Sequence, residues 1–182
     1  MKRVIITPAA LAPAALAELK DWLGITVPAD DAQLGALLRM ALDLCEDFTG
    51  TMPLQQVCEE VLPATPEWTR LTALPVQAIT SVQGIPADGP RFALAAGDCR
   101  IDLDADGSGR IGVLRPGIAG RVAVRFTAGL APDWAALPEA LRHGVLRLAA
   151  HQYRQREGDQ QSALPPAAVA ALWRPWRRLR LA

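Results

Sequence analysis

The chain reads as an α+β fold: a bundle of about four helices with a small antiparallel β-sheet or barrel inserted between the second and third. Three observations predict it. Residues 13–48 place apolar side chains at helical spacing. Residues 54–130 switch to short runs rich in Val, Ile, Thr and Leu, broken by Pro and Gly. The helical spacing then returns after Pro138. At 182 residues, with 51% hydrophobic and 21% charged side chains, the chain is one ordinary soluble domain or a domain with a tail. It can bury roughly 70% of its unfolded surface and needs no staple.

Pro13 opens the first helix, residues 13–23, at the position where a missing N–H costs nothing. Leu16, Leu19, Trp22 and Leu23 are its apolar stripe, and Gly24 ends it. Asp30 or Asp31 caps the second, residues 31–48, whose Leu34, Leu37, Leu38, Ala41, Leu42, Cys45 and Phe48 follow the amphipathic pattern. Six strands are expected in 54–130: residues 55–62, 70–74, 79–85, 100–103, 110–114 and 122–127. In the last, Val122, Val124 and Phe126 alternate with Arg121, Ala123 and Arg125, as in a strand with one wet face.

The third helix, residues 138–157, has a core stripe of Leu137, Leu141, Val145 and Leu148. His143, Arg147, His151 and Arg154 form a basic line along another side. Leu146, Ala149, Ala150 and Tyr153 make it apolar on a second face, which either meets a neighbouring subunit or is sunk in the chain's own fold. Candidate subunit-interface or channel residues are therefore His143, Leu146, Arg147, Ala150, His151, Tyr153 and Arg154. A polar linker, residues 158–162, leads to a short helix from Pro166 to Trp173. The division expected is a core, residues 1–164, and a C-terminal helix with a Trp/Arg-rich tail, residues 165–182.

Charge is balanced, 19 basic against 19 acidic, which excludes a general polyanion coat and an acidic disordered tail. The balance is uneven along the chain. Residues 1–91 hold 6 basic and 11 acidic side chains, net −5, and residues 92–182 hold 13 and 8, net +5. Copies of such a chain can attract one another end to face. Three widely spaced cysteines, Cys45, Cys58 and Cys99, point to neither a disulfide framework nor a zinc site. No stretch has the ~20 apolar residues of a membrane span. Met1-Lys2-Arg3 followed by residues 4–17 superficially mimics a signal peptide, but Pro8 and Pro13 interrupt it.

Asp102, Asp104, Asp106 and Gly107 match the opening of a calcium loop. Val113 stands where the bidentate Glu is required, and strands rather than helices flank the loop, so a β-hairpin turn is the competing reading. The two histidines lie eight residues apart without a third ligand. There is no GxSxG, P-loop or GxGxxG. No catalytic residue, cofactor-binding residue or metal ligand is assigned, and the chain is expected not to be an enzyme; a site scattered through the fold is the rival.

The functional lead is the tail, where Trp173 and Trp176 are interleaved with Arg174, Arg177, Arg178 and Arg180. Tryptophan and arginine are the residues most enriched at interface hot spots. The tail inserts into a partner protein, binds phosphate backbones, or folds back on its own domain.

Six segments in order carry a resemblance across most of the chain. They are residues 11–25 (LAPAALAELKDWLGI), Asp30-Asp31 ahead of residues 45–50 (CEDFTG), residues 74–82 (LPVQAITSV), 124–129 (VRFTAG), 138–143 (PEALRH) and 150–157 (AHQYRQRE). Together they resemble the head–tail connector (adaptor) proteins of long-tailed phages and gene transfer agents. The Trp/Arg-rich terminus beyond Trp173 matches no shared motif.

The resemblance implies a structural virion protein, made in the bacterial cytoplasm and located in the particle neck. It implies a ring of copies, commonly twelve, that joins the portal at the capsid vertex to stopper or tail-completion proteins. DNA passes through the channel without sequence-specific binding. On that reading the tail residues Trp173, Arg174, Trp176, Arg177, Arg178 and Arg180 dock on the portal. The alternative is a monomeric nucleic-acid-binding or regulatory domain that uses the arginine-rich C-terminus.

Overall fold

The computed structural model describes residues 3–155 and 165–178, and it is α+β. The strands are β1 (Arg3–Thr7), β2 (Gln56–Pro63), β3 (Thr69–Arg70), β4 (Val76–Pro86), β5 (Phe92–Ala93), β6 (Cys99–Leu103), β7 (Gly109–Val113) and β8 (Ala119–Ala128). The helices are α1 (Pro13–Leu23), α2 (Asp31–Thr49), α3 (Glu139–Arg154) and α4 (Ala167–Trp173). The chain divides into two compact units. Met1–Ala9 and Gln55–Leu130 form a β-unit, and Ala10–Leu54 with Ala131–Ala182 forms a helical unit.

In the β-unit a five-stranded antiparallel sheet, ordered β1-β2-β8-β4-β5, accompanies a three-stranded one, ordered β3-β7-β6. The central strand β8 is the one whose alternation the sequence announced. Val122, Val124 and Phe126 are fully buried and Arg121 and Arg125 stay exposed, but Ala123 between them is also buried, so the second face is wet only at the arginines. Its register with β2 sets Phe126 opposite Cys58 and Val124 opposite Glu60. Ile111 and Val113 of β7 add to the buried apolar set.

Three strand expectations change. The first strand of the fold was not foreseen: Val4, Ile5 and Ile6 belong to β1, which pairs antiparallel with β2 at the sheet edge. The run is β-branched, as strands prefer. It precedes α1, so the β-unit is not wholly an insertion between α2 and α3. The two-residue β5 was also unforeseen.

The strand expected at residues 70–74 shrinks to Thr69 and Arg70, opposite Ile111 and Arg110, with one more backbone bond from Leu71 N to Gly109 O at 2.9 Å. Beyond them the backbone is captured by a side chain. The buried Glu60 carboxylate accepts hydrogen bonds from Thr72 N (3.0 Å), Thr72 Oγ1 (2.6 Å) and Ala73 N (3.3 Å). N–H groups bound to a carboxylate cannot extend a ladder.

The Asp102–Gly107 motif is the β6–β7 hairpin turn. Arg110 donates to Asp102 Oδ2 through Nε (2.9 Å) and Nη2 (2.6 Å), and its guanidinium lies 3.6 Å from Asp104 Oδ2. Asp106 Oδ1 accepts from Ser108 N and Oγ. The carboxylates are thus committed to an arginine and to turn geometry. Among the described residues no group of three or more His, Cys, Asp or Glu side chains is arranged to hold a metal ion.

The helical unit is built on α2, whose Leu34, Leu38, Ala41 and Cys45 are fully buried, against α1, α3 and α4. Lys20 of α1 pairs with Asp31 at the start of α2 at 2.6 Å. Trp134, ahead of α3, is buried and donates from Nε1 to Glu18 of α1. The described part of α3 ends at Arg154. The expected helix end at residues 156–157 and the linker 158–162 lie outside the described residues.

Candidate functional site: the α3 face and the C-terminal segment

Helix α3 sorts its side chains by face. Leu141, Val145 and Leu148 are buried as the periodicity requires, and so are Leu146, Ala149 and Ala150. The second apolar face is therefore covered within the helical unit, where α3 packs on α1, α2 and α4. Of the proposed interface residues, Leu146 and Ala150 are core residues of this unit. Tyr153 is half-buried, with its hydroxyl donating to Asp30 Oδ2 at 2.9 Å. It ties the end of α3 to the start of α2.

The basic line survives as a surface feature. Arg147, His151 and Arg154 are exposed, and neither arginine makes an ion pair among the described residues. His143 is half-buried, its ring edge-on to Trp22 at 5.2 Å between centroids. Arg142, one residue away, is neutralised by Glu139 at 3.0 Å and lies 3.8 Å from Glu18. The line therefore presents on rigid helix two guanidinium groups with no ion pair among the described residues, and one imidazole.

The C-terminal segment is divided between core and surface. Trp173, expected among the docking residues, is completely buried, with a relative exposure of 0%. Its indole lies against Gly144 of α3, where any Cβ would overlap the ring. Its Nε1–H donates to Leu141 O at 3.4 Å, and Phe48 of α2 packs at 6.0 Å between ring centroids. A mid-helix glycine costs helix stability, and here the close approach of the indole requires it. Trp173 thus anchors the segment inside the unit.

Beyond it, a 3-10 turn, Arg174–Trp176, leads the chain back across the end of α2. Arg178 N donates to Thr49 O at 2.8 Å, and the Arg177 guanidinium sits 5.5 Å from the Phe48 ring centroid. Helix α2 has no basic side chain in its last turn, so these cations complement the negative end of its dipole. Arg174, Arg177 and Arg178 are exposed and form no ion pair among the described residues, and Trp176 is half-buried. Arg180 lies outside the described residues. Among the described residues, the exposed Arg174, Arg177 and Arg178 with the half-buried Trp176 are therefore what the segment offers a partner. The residues that the sequence reading missed are Gly144, Phe48 and Thr49, the receptors of the segment; Gly144 alone carried a local signal, as a glycine interrupting a helical stripe.

The thiols are not reactive centres. Cys45 and Cys58 are buried and Cys99 is partly so, all unbridged. Burial, helped by the neighbouring Glu46, pushes the Cys45 thiol up to about 12, and burial followed by Asp98 raises that of Cys99. Among the described residues no helix is long and apolar enough to cross a membrane.

No family profile matches the chain, and no curated protein sequence does. Solved structures do match over its whole length. A chain in the neck of an empty gene transfer agent particle, computed with C6 symmetry, is 29% identical, with a TM-score of 0.79 covering 100% of this chain and 98% of that one. A chain in the virion of a native gene transfer agent particle is 30% identical with a TM-score of 0.76, again covering 100% and 98%. A chain in the neck of the native particle, computed with C12 symmetry, is 30% identical with a TM-score of 0.73, covering 98% and 97%.

Proposed function

Because the chain belongs to the head–tail connector (adaptor) family of long-tailed phages and gene transfer agents, we propose that it is a structural ring subunit of the particle neck. The observation that carries this reading is the full-length likeness to neck chains resolved in particles with C6 and C12 symmetry. The ring joins the portal at the capsid vertex to stopper or tail-completion proteins, and DNA passes through its channel. Its mechanism is geometric: rigid units hold complementary surfaces in fixed positions around an axis.

The portal contact is assigned to the exposed Arg174, Arg177 and Arg178 of the C-terminal segment together with the half-buried Trp176. The buried Trp173 fixes the direction in which the segment leaves the fold. Clustered guanidinium groups beside a half-buried indole suit a groove with carboxylate acceptors. The α3 line of Arg147, His151 and Arg154 faces either an adjoining subunit or the channel.

Truncation at Ala171 would remove Trp173 and damage the core, so it cannot test docking. The test is the triple charge reversal of Arg174, Arg177 and Arg178 to Glu, assayed by co-sedimentation with the portal and by native mass. The expected result is loss of portal association with the melting temperature lowered by only a few degrees, the part due to losing the Phe48 contact and the favourable charges at the end of α2. Undiminished co-sedimentation would sink the docking assignment. A native monomer that binds duplex DNA with a steep salt slope, lost in the triple variant, would instead establish the nucleic-acid-binding alternative.

A further inference from the structure

The turn joining β7 to β8, residues 114–119, holds apolar side chains in water on a rigid support. Ile118 at its tip is 76% exposed and Leu114 is 46% exposed. Isolated exposed apolar residues are ordinary, but this pair is fixed by a set of hydrogen bonds. Leu114 N and Arg115 N both donate to Asp98 O, at 2.7 and 3.2 Å. The Arg115 side chain reaches Asp98 Oδ1 at 2.8 Å through Nε and donates to Gly97 O at 3.0 Å through Nη2. Ala119 N donates to Pro116 O at 3.0 Å, Gly117 takes a φ of 58°, and the Phe92 ring lies beside Gly117. Arg115 is largely exposed but paired with Asp98, so the unpaired cation of the flank is Arg121, exposed with no ion pair among the described residues. A braced apolar tip between arginines is preorganised for docking, since little conformational entropy remains to be lost on contact.

The same chain carries a second exposed apolar surface, flanked by an acid and with one edge of Trp22 against His143. At the α1–α2 corner Trp22 is 41% and Val27 is 57% exposed. Beside Trp22 is Asp21, exposed and without a side-chain partner among the described residues. This corner is also rigid: Ile25 N donates to Lys20 O, Asp31 N donates to Pro28 O, and Lys20 pairs with Asp31, a carboxylate that remains 36% exposed.

We infer that the Leu114–Ala119 turn of one copy docks on the Trp22–Val27 corner of a second copy, with Ile118 and Leu114 covering Trp22 and Val27 and Arg121 facing Asp21. The inference rests on the ring reading above. Two different patches on one chain make a heterologous contact in which every copy gives one surface and receives the other, the arrangement that closes into rings. Apolar area coincides on the two patches with one unpaired charge of opposite sign on each, Arg121 and Asp21, whereas a phosphate backbone offers nothing for Ile118.

The test uses the full chain, concentrated until native mass shows oligomers. In a Cys99→Ser background, Ile118→Cys combined with Val27→Cys is mildly oxidised, and a ladder of disulfide-linked multimers is expected. Ile118→Cys or Val27→Cys alone should give no species beyond a dimer. Ile118→Ser should raise the half-assembly concentration about ten- to a hundred-fold without changing the melting temperature. Arg121→Glu should weaken assembly, and adding Asp21→Arg should restore it. Oligomers that form normally with Ile118→Ser and give no ladder would overturn the inference and leave the ring reading standing. Intact oligomers in which Ile118→Ser removes only portal or stopper association would overturn the second copy as occupant. Absence of any oligomer, with or without portal, would overturn both readings.

Discussion

Replacing Trp173 by alanine separates a core anchor from a docking residue. The side chain is fully buried, packed on Gly144 and Phe48 with its Nε1–H on Leu141 O. Trp→Ala substitutions at such sites cost about 3–5 kcal/mol through lost burial and the cavity left behind. For a chain of this size each kcal/mol lowers the melting temperature by about 2–4 °C. The expected fall is therefore roughly 6–20 °C, read from the helical circular-dichroism band, with Trp176→Ala changing it by only a few degrees. Gly144→Ala supplies the control. In the natural chain the added methyl collides with the indole and destabilises by about 1–3 kcal/mol. In the Trp173→Ala chain the collision is gone, so the same substitution stabilises the helix by up to about 1 kcal/mol. The sign of one substitution thus reverses with the residue opposite it. A Trp173→Ala chain that melts like the natural one, or a Gly144→Ala effect of the same sign in both backgrounds, would refute the anchoring role.

Three further outcomes follow from the geometry. Glu60→Ala strands the buried Ala73 N–H and frees the residue 71–75 segment, at a cost of about 1–3 kcal/mol in chemical denaturation, and Glu60→Gln should recover part of it. Millimolar calcium should leave the melting temperature unchanged, because Arg110 already occupies Asp102; a calcium-dependent rise would revive the cation reading. Cys45 introduces an alkaline instability. Its folded thiol titrates near 12 against an ordinary 9.0, so the unfolded chain releases its proton first, and stability is full below pH 9 and falls between pH 9 and about 12. At pH 10 the loss is about 1 kcal/mol. A Cys45→Ala chain should lack that part of the slope in denaturation series across this range, and identical slopes would refute the assignment.

Much of the architecture was legible because it rests on local periodicity. The apolar spacing of α1 and α2 located both helices to within a residue, and the alternation around Val122–Phe126 identified the buried face of β8. A short run without periodicity was not legible in the same way. Val4-Ile5-Ile6 has no pattern to mark it as an edge strand, and what makes it one is β2, far along the chain. The truncation of the 70–74 strand depended likewise on Glu60, whose side chain competes for backbone donors from another strand.

By itself the sequence determined the fold class, the helices and most of the strands in their order, the family and the Trp/Arg chemistry of the tail. Only tertiary structure decided which tail residues are surface at all. Tryptophan and arginine have the same composition whether they meet a partner or their own fold, and the choice is made by a hole. Gly144 leaves one in α3, beside Phe48, and the indole of Trp173 fills it. Arg174, Arg177 and Arg178 are then left outside, because a guanidinium without a carboxylate partner is too costly to bury.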